Sequence, residues 1–545
     1  MTGQLDTHEV TNQPPPLEGH DVFSTDEALA AAVEREHGRW GLEDLAVLGR
    51  QAGSAEAIEW GRQANCNPPV LRTHDRYGHR LDVVDYHPAY HSLMTTAVAN
   101  GLHAGPWADD RAGAHVVRAA KVITWYQVDG GHICPISMTY SAVPALRHSP
   151  EVAARWEPLL TATTYDPANR PASEKAGATC GMAITEKQGG SDVRANTTTA
   201  EPADGGYRLT GHKWFCSAPM SDAFLMLAHA PAGLSCFLVP RWLPDDSRNP
   251  IRIQRLKDKL GDRSNASSEI ELAGTWGELV GDEGRGVPTI LEMVNHTRLD
   301  CVLGATAIMR QGTAQAAWHT HHRSAFGRPL DQQPLMANVV ADLAVESEAA
   351  TLGALRLARA FDAEPADTHE QLVKRLLTPV LKYWTCKRAP QHTAEALECL
   401  GGAGYVEESD LPRLFRQSPL NGVWEGSGNV ICLDVLRAIV RAPATIDAYW
   451  AEVELARGAD ARFDAAVHRL RERMGALEDL EHYARALVEE MALVLQASLV
   501  IRHSPAPVAD AYVAARLDTG AGRTFGTLPS GIDVRAIVDR ARPAA

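Results

Sequence analysis

Met182-Ala183-Ile184-Thr185-Glu186-Lys187-Gln188-Gly189-Gly190-Ser191-Asp192 separates two stretches of different pattern. Two glycines among hydroxyl and carboxylate side chains let a backbone approach a ligand closely and present N–H groups to it. Taken alone, the segment reads as a polar loop leading into a β region. Upstream the pattern is mostly helical: Ala28 to Val33 and Val116 to Tyr126 are examples, and Ser24-Thr25-Asp26-Glu27 is a helix start. Asn67-Pro68-Pro69 interrupts it, and Thr73 to Asp82 reads as a polar loop. Downstream come short apolar runs at Tyr207–Thr210, Ala223–Ala228, Cys236–Val239, Ile251–Ile253 and Ser268–Leu272, which predict an antiparallel β domain. Helical periodicity returns after Gly286 and runs through Ala305–Ala317, Met336–Leu357 and Leu372–Lys387. It resumes in Arg462–Leu477, Leu480–Leu499 and Pro505–Leu517. The organisation expected is a helical region 1–180, a β domain 181–290, a helical bundle 291–440 and a helical extension 441–545.

The chain has 545 residues and a formal charge of −15, with 45% apolar and 22% charged residues. At about 100–200 residues per domain, that length predicts about three or four domains. The composition excludes wholesale disorder. The acidic balance argues against a surface that binds polyanions throughout, while allowing one basic patch. The polar, acidic stretch Met1–Val10 is not a signal peptide. The longest charge-free run near the C-terminus, about Met491–Ile501, is too short to span a bilayer. A cytoplasmic protein with no membrane partner is expected. Nine scattered cysteines form no CxxC pair, so neither structural zinc nor a disulfide framework is expected, and no metal site.

Four further segments carry chemistry. Gly211-His212-Lys213-Trp214-Phe215-Cys216-Ser217 reads either as a strand whose aromatics stack on a planar ring or as a plain core strand. Arg323-Ser324-Ala325-Phe326-Gly327 follows a helix bearing His319, His321 and His322. The arginine can clamp a phosphate, and the histidines read as a solvated face. Leu400-Gly401-Gly402-Ala403-Gly404-Tyr405 lacks the strand–glycine–helix context of a dinucleotide fingerprint, so no Rossmann domain is expected. Val423-Trp424-Glu425-Gly426-Ser427-Gly428-Asn429 sets one carboxylate between an indole and a glycine, before a helix over Val430–Val440. An apolar neighbour raises a carboxylate's pKa and suits it to general-base work. Seen alone, Glu425 reads as a helix-start charge.

Together and in this order, the segments resemble the acyl-CoA dehydrogenase flavoprotein family. Its M-x-x-T-E-x-x-x-G-S-D pattern is matched by Met182–Asp192, its Trp-Ile-Thr/Ser strand by Trp214–Ser217 and its K-x-G-x-R-x-S stretch by Lys259–Asn265. Arg323 to Gly327 and Leu400 to Tyr405 follow in register, and Glu425-Gly426-Ser427 stands for the family's Glu-Gly-Thr. Nearly end to end, with Ala64-Asn65-Cys66-Asn67-Pro68-Pro69 and a long C-terminal extension, the chain is similar to the AidB group of that family, which is tied to the response to DNA alkylation.

The resemblance implies a mainly α fold with an inserted antiparallel β domain: an α-helical N-domain, a β-barrel middle domain, a four-helix bundle and a C-terminal helical extension. It implies a homotetramer with one FAD per subunit. The implied reaction is an acyl-CoA oxidation in which Glu425 takes an α-proton and FAD a β-hydride. The implied substrate is a short or branched acyl-CoA, and the implied electron acceptor a flavoprotein. Met182, Thr185, Gly190 and Ser191 would line the flavin, and Trp214, Cys216 and Ser217 would pack on its ring. Trp424, where the family has Tyr, would crowd the acyl pocket beside it. Ser427 and Asn429 would reach the ribityl and phosphate groups, and Arg323 and Phe326 the adenosine part of a neighbouring subunit's FAD. Glu398 in place of Gln, Pro334 with Gln333 one place off, and Cys216 in place of a hydroxyl residue depart from the family pattern. The alternative implied is a double-stranded DNA-binding protein with weak or vestigial dehydrogenase activity, its candidate contacts Arg437, Arg516 and Arg523. Residues 441–545 hold 13 Arg, no Lys and 15 Asp+Glu, so a DNA site there would be a local patch. A flavin oxidase of the nitroalkane type, with Asp at the base position, is disfavoured by Glu425.

Overall fold

The computed structural model describes residues 7–203, 205–475, 480–518, 520 and 522–544. Its centre is four helices, Gly286–His322, Pro334–Asp362, Thr368–Cys399 and Gly428–Arg441. The first three bury residues on nearly every face of their middle turns, because Ala, Val, Leu and Thr fill those positions. Pro334 opens its helix at the position where a missing N–H costs nothing. The fourth is amphipathic and buries Ile431, Cys432, Val435 and Ala438. One contiguous apolar core extends from Val22 to Ala541, so the N-terminal helices, the bundle and the C-terminal helices share it.

In the N-terminal region, helix Glu27–Val33 begins where expected, with the Asp26 carboxylate accepting from Leu29 N–H at 3.1 Å. The loop expected over 73–82 is corrected: Val70–His74 (β1) and Arg80–Asp85 (β2) pair as an antiparallel hairpin. Leu71, Val83 and Val84 supply strand formers. The Asp75 carboxylate fixes the turn by accepting from the N–H groups of Tyr77 and His79, at 2.8 and 2.9 Å.

The β domain holds Cys180–Ala183 (β3), Thr199–Ala203 (β4), Gly206–Ser217 (β5), Ala223–Ala230 (β6), Gly233–Pro240 (β7), Ile251–Leu256 (β8) and Ser267–Val280 (β9). Strands β6, β4, β5, β9 and β7 pair in a ring, because β7 pairs back onto β6, and this closes a barrel. Strand β3 joins at β6 and β8 at β9. Fully antiparallel pairing is corrected at two joints: β3 and β4 both run parallel to β6. Strand β3 meets β6 at 223–226 and β4 meets it further along at His229, so the chain keeps its direction beside β6 and the connection between them bulges out as a loop that contains the Thr185–Asp192 segment.

The extension forms helices Ala461–Gly475, Leu480–His503 and Ala506–Arg516, plus Val534–Ala541, which the periodicity did not indicate. Residues 476 and 477 of the expected Arg462–Leu477 helix lie outside the described residues. Among the described residues, no helix is long and apolar enough to cross a membrane. Charge locks the extension to the bundle. Arg516 donates to Asp342 at 2.6 Å and to Glu346 at 2.9 Å, and Arg540 to Glu348 at 3.0 Å. Burial alone would raise the Glu346 pKa, but the Arg388 and Arg516 guanidinium groups outweigh it and hold the carboxyl down at about 2.

A depressed carboxyl pKa contributes stability that is present above the ordinary carboxylate range and lost as pH falls toward about 2. Arg516→Ala leaves two buried carboxylates without that partner and is expected to cost about 3–5 kcal/mol near neutral pH. Urea unfolding of both proteins checks this: the difference should be largest near pH 7 and shrink as pH approaches 3.

Candidate active site

The backbone at Trp424-Glu425-Gly426 is strained. Glu425 has φ +57° and Gly426 φ +105°. A non-glycine residue in that region costs about 1–3 kcal/mol and persists only when its surroundings impose it. Here two cations do so. Lys382 Nζ donates to Trp424 O at 2.9 Å and to Gly426 O at 2.5 Å, and Arg298 Nε donates to Glu425 O at 3.1 Å. All three carbonyls are thereby gripped from the Gly286–His322 and Thr368–Cys399 helices. Arg298 is itself fixed by Asp434 at 2.8 Å, which also binds Arg375 at 2.9 Å. The indole of Trp424 donates to Asn421 Oδ1 at 3.0 Å, and Asn421 in turn donates to the Tyr126 hydroxyl at 3.3 Å.

Burial pushes the half-buried Glu425 carboxyl above the ordinary glutamate range, while the Thr297 hydroxyl and the charges of Arg298 and Lys382 pull it part of the way back. Cys134, in the first turn of helix Ile133–Leu146, is near enough to feel the charges of Glu425 and Lys259, and burial pushes its thiol up to about 12. Cys134, Met138 and Met293 belong to an apolar cluster against which Met182, Ile184 and Trp424 also pack. Trp424 touches the main core as well, so its indole is wedged between the bundle and the β domain.

The Thr185–Asp192 loop owes its shape to Glu186. This buried carboxylate accepts from Thr197 N–H at 2.6 Å, the Thr198 hydroxyl at 2.6 Å, Gln188 at 3.0 Å and Lys213 Nζ at 2.8 Å. Burial alone would raise its pKa, but these donors hold it well below the carboxylate range. Trp214 N–H donates to Thr185 O at 2.8 Å and ties the loop to β5. A Cβ at Gly190 would lie 2.4 Å from Thr185 Oγ1, so any larger residue there would push the Thr185 side chain out of place. Met182 and Thr185 are half-buried at the loop's base, and Ser191 is exposed at its end. On β5, half-buried Trp214 carries Lys257 Nζ 3.5 Å from its ring centroid, and Ser217 is half-buried. Cys216 is corrected: its thiol is fully buried in the barrel core, so it offers a ring only backbone.

Ser427 stands at the start of helix Gly428–Arg441 with extended backbone, and its hydroxyl does not cap the helix. Asn429 is exposed in the first turn. A Cβ at Gly428 would meet Lys387 Cε at 3.0 Å and Arg485 Nη2 at 3.4 Å, so two cations flank this N-terminus. Free N–H groups, a hydroxyl and two cations form an anion cradle that fits a diphosphate. Arg323 and Phe326 lie on a separate hairpin, Ser324–Ala325 with Arg328–Pro329. Phe326 and Gly327 form its turn with φ +52° and +83°, and the phenyl ring is 99% exposed. Arg323 donates to Asn12 O at 2.5 Å, and Gln333 donates to Ala325 O at 2.9 Å, bracing the hairpin. Glu398 is exposed in the last turn of its helix.

Of the candidate DNA contacts, Arg516 is corrected: it is engaged by Asp342 and Glu346 and only 11% of its side chain is exposed. Arg437 lies half-exposed 3.6 Å from Asp434, and Arg523 is exposed. The sequence reading missed Lys382, Arg298, Thr297, Cys134 and Glu186. The signal for Lys382 was a cation among the apolar residues of its helix and for Glu186 a carboxylate between the recognised residues of the loop, while nothing local singled out Arg298, Thr297 or Cys134.

The fold and this geometry define a member of the acyl-CoA dehydrogenase family, whose members are FAD-dependent oxidoreductases, and the chain belongs to it. Residues 12–167 match the AidB N-terminal domain, 181–275 the acyl-CoA dehydrogenase middle domain and 284–440 the acyl-CoA dehydrogenase C-terminal domain. The chain is 46% identical over 519 residues to AidB of Escherichia coli (strain K12), covering 95% of each. It is 30% identical to acyl-CoA dehydrogenase family member 11 of Caenorhabditis elegans over 90% of this chain and 82% of that protein. The crystal structure of Caenorhabditis elegans ACDH-11 in complex with C11-CoA superposes with a TM-score of 0.85, at 26% identity, over 98% of this chain and 93% of that one.

Lys382→Met removes two charge-assisted hydrogen bonds to strained backbone. The expected result is a loss of about 2–4 kcal/mol. Amide hydrogen exchange checks its location: residues 421–428 should lose protection while the barrel does not.

Proposed function

We propose that the protein oxidises an acyl-CoA thioester at its α and β carbons, with Glu425 as the base. The observation that carries this reading is the clamped turn, which fixes a half-buried carboxylate next to Trp424, whose indole packs on both the main core and the cluster at the β domain. Among the described residues no group accepts from Glu425 N–H. That donor is free to meet the thioester oxygen, where charge develops as the α-proton leaves. Trp424 and the methionines exclude water and orient the acyl chain. Glu425 holds the α-proton on a carboxylate oxygen after transfer. FAD, when bound, supplies the acceptor for the β-hydride, so that the α-proton and β-hydride leave an enoyl thioester.

The residues suited to hold FAD are Met182, Thr185, Gly190 and Ser191 on the loop, Trp214 and Ser217 on β5, and Ser427 and Asn429 at the cationic helix start, with Trp424 beside Glu425. The exposed Phe326 and Arg323 hairpin is suited to a neighbouring subunit, and we assign the protein a homotetrameric assembly. The wedge formed by Trp424 favours short or branched acyl groups, and a flavoprotein is the expected electron acceptor. The duplex-DNA alternative loses one of its three candidate contacts, since Arg516 is locked in ion pairs.

Anaerobic bleaching of the flavin by a panel of acyl-CoA thioesters from four to twelve carbons tests the reading. Short and branched thioesters should bleach fastest, and Glu425→Gln should slow bleaching by about 10²–10⁴-fold. No bleaching by any thioester, or none of this dependence on Glu425, contradicts it. The rate should rise with pH through a value above that of an ordinary glutamate, because the base works only when ionised and burial raises its pKa. Thr297→Val removes a group that favours the ionised form, so that limb should move to higher pH. Stopped-flow bleaching across pH checks the direction.

A further inference from the structure

An indole has one polar atom, the Nε1–H donor, and a packed indole keeps its place when that donor finds a partner. Trp424 donates it to Asn421 Oδ1 at 3.0 Å. Asn421 lies in the turn Leu420–Gly422, is 1% exposed, and donates through Nδ2 to the Tyr126 hydroxyl at 3.3 Å. The indole can only donate, so the amide must turn its oxygen toward Trp424 and its nitrogen toward Tyr126. One orientation of Asn421 satisfies both neighbours.

Tyr126 is in turn seated between two glycines. It is the last residue of helix Ala114–Tyr126 and is buried. A Cβ at Gly130 would lie 2.8 Å from Tyr126 Cε1, and a Cβ at Gly304 would lie 2.7 Å from Cε2 and 2.9 Å from Asn421 Nδ2. Both ring edges beside the hydroxyl therefore run against glycine backbone. Gly304 stands inside the long helix Gly286–His322, where alanine would be the better helix former. Glycine there makes room for the phenol and the amide together.

The backbone of Trp424 is held separately. Its carbonyl accepts from Lys382 at 2.9 Å, and its N–H donates to Leu420 O at 3.2 Å. The turn and the indole thus have different anchors: cations for the turn, the Tyr126–Asn421 pair for the indole. The indole adjoins Glu425 and packs on both the main core and the cluster at the β domain. Moving it aside breaks the Nε1–H bond and leaves Asn421 Oδ1 buried without that partner, which is costly.

Resting on the acyl-CoA reading above, we infer that Asn421, oriented by Tyr126, is a positioning residue that sets acyl-chain length by holding the Trp424 indole across the path of a long chain. A long chain reaches its place only by displacing the indole and breaking that bond. A short chain leaves the indole where it is. Without Asn421 the long chain has no bond to break, and the short chain gains nothing.

The test titrates the full-length holoenzyme calorimetrically with butyl-CoA and dodecyl-CoA, thioethers that lack the carbonyl and so cannot be oxidised as thioesters. Asn421→Leu should lower the dodecyl-to-butyl ratio of Kd values about tenfold, the worth of about one buried hydrogen bond. Tyr126→Phe keeps the ring between its glycines and loosens only the amide. It should lower the ratio by about two- to threefold, and it decides the matter if Asn421→Leu does not fold. In the Trp424→Phe background, which has no N–H, Asn421→Leu should move the ratio no further, whereas a general loosening of the site would still move it. The KM ratio for dodecanoyl-CoA over butanoyl-CoA should follow the Kd ratio. A ratio unmoved by Asn421→Leu and Tyr126→Phe, or a fall equally large in the Trp424→Phe background, would overturn the inference. A Kd ratio that shifts as expected while no thioester bleaches the flavin would overturn the oxidation and leave the role of Asn421 standing.

Discussion

The structure depends on the grip of two cations on three successive carbonyls. Without Lys382 and Arg298, the backbone at Glu425 would relax out of its left-handed conformation, and the carboxylate would swing away from Thr297 and Cys134. Lysine and arginine are poor choices for the interior of apolar helices, and burial without partners would be prohibitive. Here the carbonyls and Asp434 solvate them, so the same bonds that hold the turn also let the cations stay buried. Strain at Glu425 and burial of Lys382 are two sides of one arrangement.

A similar economy joins the C-terminal extension to the bundle. Asp342, Glu346 and Glu348 would be untenable on a buried helix face were they not met by Arg388, Arg516 and Arg540. The extension also delivers Arg485 to the start of helix Gly428–Arg441, directly after Glu425. It is part of the scaffold that shapes the site, which is why an arginine selected from sequence as a nucleic-acid contact proves to be a structural tie.

Much of the architecture was legible because it is written in local pattern. Long apolar helices and alternating strands announce themselves by period, and the five site segments lie close to their chemistry in the chain. What stayed hidden depends on contacts between residues far apart. Lys382 and Arg298 are separated from Glu425 by 43 and 127 positions respectively, and nothing local marks them as its supports. The hairpin at 70–85 was missed because polar residues at its tip masked strands whose inward faces are short. Cys216 was misread because a bulge in β5 between Lys213 and Cys216 changes which side chains face the barrel.

The central claim is that the clamped Glu425 carboxylate removes an α-proton. Exchange of that proton with solvent isolates this step, using 3,3-dimethylbutanoyl-CoA, which has α-hydrogens but no β-hydrogen to give up. In deuterium oxide the wild-type holoenzyme should place deuterium at the α-carbon, and Glu425→Gln should not. Exchange that is absent from the wild type, or equally fast in Glu425→Gln, would contradict the account.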